Sequence, residues 1–109
     1  MKQMMVQYRV KADRAEENAR YIRDVFSQLR KEAPPDLRYC AFRLEDGVTF
    51  VHIVSNEAPN GADPLRELSA FRAFSADIKD RCEQPPAFTN LSVVGSYRAF
   101  GEADSIRPG

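Results

Sequence analysis

The sequence predicts an α+β protein of the ferredoxin-like type, in which a βαββαβ chain forms a four-stranded antiparallel sheet with two helices on one face. Three observations predict this fold: two amphipathic helical stretches, four strand-like segments arranged around them, and a hairpin signal between the middle two strands. A length of 109 residues suits one domain, which we place at residues 1–100, with residues 101–109 as a C-terminal tail.

The first strand and first helix follow from hydrophobic periodicity. Met4–Val10 alternates apolar and polar residues, which predicts a strand. Asp13, followed three residues later by Glu16, predicts a capped helix start, and Pro34-Pro35 ends the helix. The apolar stripe of this helix repeats about every 3.6 residues. Its members are Ala19, Ile22, Val25, Phe26, Leu29 and Ala33.

The middle strands are predicted at Leu37–Leu44 and Val48–Ser55, joined by a two-residue turn at Asp46-Gly47. This turn makes the numbers of paired residues sum to 93, so Ala41 lies opposite His52. The second of these strands, V-T-F-V-H-I-V-S, has apolar residues on both faces, which predicts that both faces are covered.

The hairpin register divides the two strands into two faces. Tyr39, Arg43, Phe50 and His52 share one face, and we expect it to be the interface with a second subunit. The other face is almost wholly apolar, and we expect it to lie under the helices. Its members are Cys40, Phe42, Leu44, Val51 and Ile53.

The last helix and strand are predicted from the positions of the prolines and the spacing of the apolar residues. Asp63-Pro64 begins the helix, a bend is expected near Ser69, and Pro85-Pro86 ends it. The stripe of this helix consists of Leu68, Phe71, Phe74, Ile78 and Cys82. Asn90–Tyr97 is then predicted as the fourth strand.

Composition excludes several classes of function. Sixteen basic and sixteen acidic residues cancel and are mixed along the chain, so no basic field is available for nucleic acid. No apolar run is long enough to span a membrane, and two unpatterned cysteines suit reduced thiols in the cytoplasm. A single histidine without clustered carboxylates predicts no metal site.

One group of side chains could carry chemistry. His52, Tyr39 and Arg43 share a face, and an imidazole beside a phenol and a guanidinium can act as an acid–base cluster. The alternative is a histidine that is hydrogen-bonded within a buried or dimer-facing surface. No carboxylate at fixed spacing orients the imidazole, which favours the alternative.

The chain resembles the dimeric α/β-barrel superfamily, especially antibiotic-biosynthesis-monooxygenase-like proteins, over about Met4–Tyr97. The resemblance is carried by T-F-V-H-I-V-S at Thr49–Ser55 and S-A-F-R-A-F at Ser69–Phe74. It implies two subunits packed sheet against sheet, each with a small apolar cavity between sheet and helices. Candidate cavity residues for substrate binding are Tyr8, Phe42, Phe71, Phe74 and Ile78.

The resemblance implies no particular cofactor. The chain has no tryptophan and no histidine in its second helix, so a helical haem ligand is absent and we expect neither haem nor metal. Two functions stay open. The first is a cofactor-independent monooxygenase-like enzyme acting on a small aromatic or polyketide-like molecule. The second is a non-catalytic homodimer that binds a small ligand or a protein partner.

Overall fold

The computed structural model of the chain describes residues 2–99. Within this range the elements follow the predicted order, except that the second helical segment is divided in two. They are β1 (Lys2–Val10), α1 (Ala15–Glu32), β2 (Leu37–Arg43), β3 (Thr49–Asn56), α2 (Ser69–Ala76), α3 (Ile78–Arg81) and β4 (Cys82–Asn90). The strands form one antiparallel sheet in the order β2-β3-β1-β4. The α+β, ferredoxin-like prediction is confirmed. The predicted tail, residues 101–109, lies outside the described residues.

Helix α1 agrees with the predicted stripe but not with the predicted cap. A 3₁₀ turn at Ala12–Arg14 precedes the helix, and its N-cap residue Arg14 makes no side-chain cap hydrogen bond. Instead Arg14 Nε donates to Glu17 Oε1 at 2.5 Å, so the capping prediction for Asp13 and Glu16 is wrong. The helix ends at Glu32. Ala33, predicted on the apolar stripe, is instead an exposed C-cap residue in the left-handed conformation with φ 47°.

The hairpin register is confirmed, although its turn is longer than predicted. Ala41 pairs with His52 as the sum of 93 requires. The last backbone bond runs from Leu44 N to Thr49 O, which leaves residues 45–48 as the loop. Asp46 closes this loop, because its carboxylate accepts hydrogen bonds from the Val48 and Thr49 amides and from the Thr49 hydroxyl. Gly47 takes a φ of 80°, which suits a residue without Cβ.

The predicted fourth strand, Asn90–Tyr97, is wrong, as is the helix start at Asp63-Pro64. Helix α2 begins at Ser69, where a bend was expected, and β4 occupies Cys82–Asn90. Among the described residues, strand β4 is an edge strand that pairs only with β1. Its register shifts between the pairs Gln7–Ala87 and Arg9–Gln84, so Pro85 and Pro86 both lie in a bulge opposite Tyr8. Prolines are tolerated there because an edge bulge does not require their missing N–H groups.

The face of the sheet that the helices cover is the opposite of the one predicted. Phe50 and His52 are buried under the helices, with His52 only 3% exposed. Phe42 and Leu44 of the other face are 50% and 41% exposed. The prediction that the face of Tyr39, Arg43, Phe50 and His52 is left for a partner is therefore wrong. Strand β3 is apolar on both faces, so the pattern of apolar residues along it did not show which face the helices cover.

The core lies between this face and the helices. It is built from β1, α1, β3, α2 and the segment that leads into α2. Its buried apolar residues are Tyr8, Val10, Ala15, Val25, Phe50, Leu65, Leu68 and Phe74. Among the described residues, no helix is long and apolar enough to cross a lipid bilayer.

Candidate functional site

His52 lies between two tyrosine hydroxyls in the middle of the core. Its Nε2 is 2.8 Å from the hydroxyl oxygen of Tyr8, and its Nδ1 is 2.6 Å from that of Tyr39. The three side chains come from adjacent strands β1, β3 and β2, and they point to the same side of the sheet. Both ring nitrogens of the histidine therefore have protein partners.

Aromatic rings surround this row of hydroxyls. The His52 ring lies 5.5 Å from the Phe74 ring of α2, and Tyr39 stacks on Phe26 of α1 at 4.9 Å. Tyr8 stacks on Phe50 at 5.7 Å. These centroid separations are in the favourable range for aromatic pairs, so the rings hold the polar atoms in place.

The polar chain continues beyond Tyr8 to a buried arginine. Asn18 of α1 donates from Nδ2 to the Tyr8 hydroxyl at 2.9 Å, and Arg81 donates from Nε to Asn18 Oδ1 at 3.0 Å. Arg81 also donates from Nη2 to the Phe74 carbonyl at 2.6 Å, near the end of α2. The row Tyr39–His52–Tyr8–Asn18–Arg81, which we call the polar row, thus joins all the layers of the fold.

Arg81 is fully buried without a carboxylate partner in the part of the chain that the structure describes. Its guanidinium carbon lies 4.5 Å from the centre of the Tyr21 ring and 5.3 Å from that of Phe74. Two hydrogen bonds and two aromatic faces stabilise this charge, while Nη1 has no partner among the described atoms. A buried cation in such a setting creates a strong local field.

Burial determines the protonation states of the row. It lowers the pKa of His52 to about 4, because the charged imidazolium is poorly solvated in the core. Burial also raises the pKa of Tyr39, and it raises that of Tyr8 although Asn18 and Arg81 act in the opposite direction. At neutral pH the histidine and both tyrosines are therefore uncharged. These three side chains can transfer or orient protons, but none of them is an anion.

The structure brings together four of the five predicted substrate-binding residues. Tyr8 and Phe74 are in the core, and Phe71 and Ile78 pack against it. Phe42 does not join them, because it lies on the opposite, open face of the sheet. Phe42 nevertheless borders the cleft between α1 and the hairpin, so its place in a ligand site stays a prediction.

Of the predicted acid–base cluster, Tyr39 and His52 meet but Arg43 does not reach them. The Arg43 guanidinium donates to Glu16 Oε2 and to the Gly47 carbonyl, each at 2.9 Å. The guanidinium carbon of Arg43 also lies 5.5 Å from the centre of the Phe50 ring. Arg43 therefore ties the hairpin to α1 at the rim of the core.

Sequence reasoning missed Asn18 and Arg81. Asn18 carried a usable signal, since it falls on the apolar stripe of α1 between Ala15 and Ala19. A polar residue on a buried stripe needs a buried partner. Arg81 carried no comparable signal, because arginines at helix ends are ordinarily solvated.

A cleft of about 180 Å³ opens between α1 and the β2–β3 hairpin, and its lining includes no member of the polar row. The small side chain of Ala41, opposite His52 in the register, forms part of its floor. Its lining consists of Ala19, Ile22, Arg23, Ala41, Phe42, Arg43 and Phe50. Within residues 2–99 no group of three or more His, Cys, Asp or Glu side chains is placed to hold a metal ion.

Solved structures of similar fold are known, although no family model and no curated protein matches the sequence. An antibiotic biosynthesis monooxygenase superimposes with a TM-score of 0.70 and 18% identity, covering 87% of this chain and 100% of its own. A protein from Nitrosomonas europaea provisionally assigned the same name gives a TM-score of 0.71 at 18% identity, with coverages of 87% and 100%. A third, from Caulobacter crescentus and also provisionally named, gives 0.66 at 18% identity, with coverages of 86% and 90%.

These similarities identify the fold. The chain is a ferredoxin-like α+β protein. Within that architecture its fold is that of the antibiotic-biosynthesis-monooxygenase-like proteins. At 18% identity the comparison concerns the fold, and activity has to be argued from this chain's own residues.

Proposed function

We propose that the protein binds a small aromatic or polyketide-like molecule between α1 and the sheet, and oxidises it with O2 as a cofactor-independent monooxygenase-like enzyme. The observation that supports this proposal is the buried row Tyr8–His52–Tyr39, with hydrogen bonds of 2.8 Å and 2.6 Å at the two ring nitrogens. Polar groups held within an aromatic core are typical of sites that orient an apolar ligand.

Tyr39 is the member of this row placed to meet a ligand. It is partly buried, whereas Tyr8 is 2% exposed, and its neighbour on the same face of β2, Ala41, lines the cleft. A cleft of about 180 Å³ admits only part of a two-ring molecule, so α1 and the hairpin must separate slightly for a whole one. Rings of Phe26 and Phe74 would then stack against the ligand.

In the proposed reaction the substrate supplies four electrons to O2: one oxygen atom becomes a quinone or ketone oxygen of the product, and the other leaves as water. The role of the chain's residues is to bind the substrate, exclude water and hold its oxygen by a hydrogen bond to Tyr39. Such a hydrogen bond stabilises negative charge that develops on a phenol or ketone oxygen as the ring reacts.

A homodimer forms the second part of the proposal. The open face of the sheet presents Phe42 and Leu44, and the half-buried Cys40, Val51 and Ile53 lie beside them. A contiguous apolar sheet face is usually covered by a partner, and a second copy offers the same surface. The interface is therefore proposed on this face, rather than on the face of His52. A cytoplasmic location, where thiols such as Cys40 stay reduced, belongs to the same proposal.

A non-catalytic ligand-binding dimer is the second candidate, and the state of His52 favours it. The pKa of His52 is about 4 and both of its ring nitrogens are engaged, so it is a weak proton acceptor at neutral pH. A protein with this site can bind a ligand without converting it.

Oxygen consumption distinguishes the two candidates. Anthrone and 1,2-dihydroxynaphthalene are incubated in air with the wild type, with Tyr39→Phe, and with Lys79→Ala as an exposed control. The enzyme proposal expects uptake above the protein-free rate in the wild type and in Lys79→Ala, and a loss of at least tenfold in Tyr39→Phe. Binding of these compounds without any uptake establishes the non-catalytic candidate. Absence of both binding and uptake contradicts both.

A further inference from the structure

The hydrogen bonds of the polar row run in one direction, which Arg81 determines. Arginine has five N–H donors and no acceptor. The Asn18 atom that faces Arg81 Nε at 3.0 Å is therefore the carbonyl oxygen. The amide nitrogen of Asn18 must then face the other way, where it donates to the Tyr8 hydroxyl oxygen at 2.9 Å. The orientation of the amide thus follows from the chemistry of its neighbour.

The direction continues through Tyr8. Its oxygen already accepts from Asn18, and its single hydroxyl proton needs an acceptor because the side chain is 2% exposed. Nε2 of His52, at 2.8 Å, is the acceptor within reach among the described residues. If Nε2 itself carried a proton, the hydroxyl proton of Tyr8 would be buried without a partner, which is costly. Tyr8 therefore donates and Nε2 accepts.

The same reasoning gives the proton of the histidine. A neutral imidazole carries one proton, and with Nε2 as acceptor it lies on Nδ1. Nδ1 then donates to the Tyr39 oxygen at 2.6 Å. The hydroxyl proton of Tyr39 is consequently turned away from His52, and no acceptor for it is found in the described part of the chain. As a residue Tyr39 is partly buried, whereas Tyr8 is 2% exposed, so a hydroxyl proton without a protein acceptor costs less at Tyr39.

We propose that Arg81, acting as a positioning residue through Asn18 and Tyr8, holds the proton of His52 on Nδ1 and so makes Tyr39 a hydrogen-bond donor toward the ligand. The ligand must then present an oxygen acceptor, such as the carbonyl of an aromatic ketone or the oxygen of a phenolate. This choice of ligand class rests on the proposed function. The direction of the hydrogen bonds does not.

The tautomer can be observed directly because His52 is the only histidine in the chain. Imidazole ¹⁵N NMR of the wild type at pH 7 should show Nδ1 with the shift of a protonated nitrogen and Nε2 with that of an unprotonated one. A proton on Nε2 overturns the proposal, and this measurement needs no variant.

Asn18→Asp reverses the row. Its carboxylate can accept from both Arg81 and the Tyr8 hydroxyl, so Tyr8 no longer donates to His52. The two nitrogen signals should then exchange character, with the proton on Nε2. Asn90→Asp, an exposed change of the same chemistry in β4, should leave them unchanged. Unchanged nitrogen signals in a folded Asn18→Asp variant would contradict the proposal that Arg81 determines the tautomer of His52.

The ligand class is tested by calorimetric titration with 1-tetralone, which has a carbonyl acceptor, and with tetralin, which lacks it. The wild type should bind 1-tetralone about tenfold more tightly, the value of one hydrogen bond. Tyr39→Phe and Asn18→Asp should reduce this ratio toward one. Equal binding of the two compounds by the wild type overturns the ligand class. If neither compound binds although the NMR spectrum places the proton on Nδ1, the proposed small-molecule site and its ligand class are both wrong. The proposed direction of the hydrogen bonds is then still supported.

Discussion

The hydroxyl of Tyr8 lies 2.8 Å from Nε2 of His52, a contact made between diagonal neighbours on the β1–β3 strand pair. Tyr8 pairs with Phe50, and His52 pairs with Val6, so the side chains of Tyr8 and His52 contact each other diagonally across the strand pair. Because Tyr8 also accepts from Asn18, its hydroxyl is bonded on both sides, whereas that of Tyr39 has one partner among residues 2–99.

This difference predicts unequal costs for removing the two hydroxyls. Tyr8→Phe leaves the buried amide of Asn18 and Nε2 of His52 without partners, and should lower the free energy of unfolding by about 2–3 kcal/mol. Tyr39→Phe removes one bond at a partly buried position and should cost about 1 kcal/mol. Urea denaturation at pH 7.5 measures both. A larger cost for Tyr39→Phe would contradict the bonding pattern.

The depressed pKa of His52 makes stability depend on pH. The unfolded chain binds a proton at this histidine below pH 6.5, but the folded chain does so only near pH 4. Between these values the unfolded state binds more protons, so the free energy of unfolding falls as the pH is lowered. The loss from His52 should reach about 2 kcal/mol at pH 5 and about 3 kcal/mol below pH 4.

Carboxylates also titrate in this range, so the measurement compares wild type with His52→Gln. The variant lacks the titrating ring, and its loss of stability between pH 7.5 and pH 5 should be smaller by about 2 kcal/mol. Parallel pH profiles for the two proteins would show that His52 titrates normally in the folded state.

The open sheet face predicts the oligomeric state. Wild-type protein at micromolar concentration should have twice the mass of the chain by light scattering, and Phe42→Asp should have the mass of one chain. A buried, unpaired carboxylate at the centre of the interface costs more than the packing there can offset. Val94→Asp, an equivalent change at a fully exposed residue outside the sheet, should remain dimeric. A dimeric Phe42→Asp variant would place the interface elsewhere.

The end of α1 offers a stabilising substitution. Ala33 adopts φ 47° and ψ 54°, and its N–H donates to the Leu29 carbonyl at 2.7 Å. Glycine adopts this conformation without the Cβ penalty, so Ala33→Gly should raise the free energy of unfolding by about 0.5–1 kcal/mol. Ala73→Gly, within α2 and exposed, should lower it by about the same amount. Thermal denaturation of both variants tests the helix boundary, and destabilisation by Ala33→Gly would contradict it.

Local pattern in the sequence determined much of the fold. The 3.6-residue stripe of α1 and the alternation of β1 located those elements, and the Asp46-Gly47 turn gave the register that pairs Ala41 with His52. These features depend on neighbours in the chain, which the sequence displays directly. Asn18 lies on the same stripe, and its polarity was an available signal of a buried hydrogen-bond network that sequence reasoning missed.

Only the tertiary structure decided where β4 lies and which face of the sheet the helices cover. Proline usually interrupts a strand, but an edge strand with a bulge opposite Tyr8 accommodates Pro85 and Pro86. Strand β3 is apolar on both faces, so its sequence fits the helices and a partner equally well. The deciding interactions come from distant residues: Asn18 and Arg81 supply polar partners on one side of the sheet, and that side is where His52 is buried.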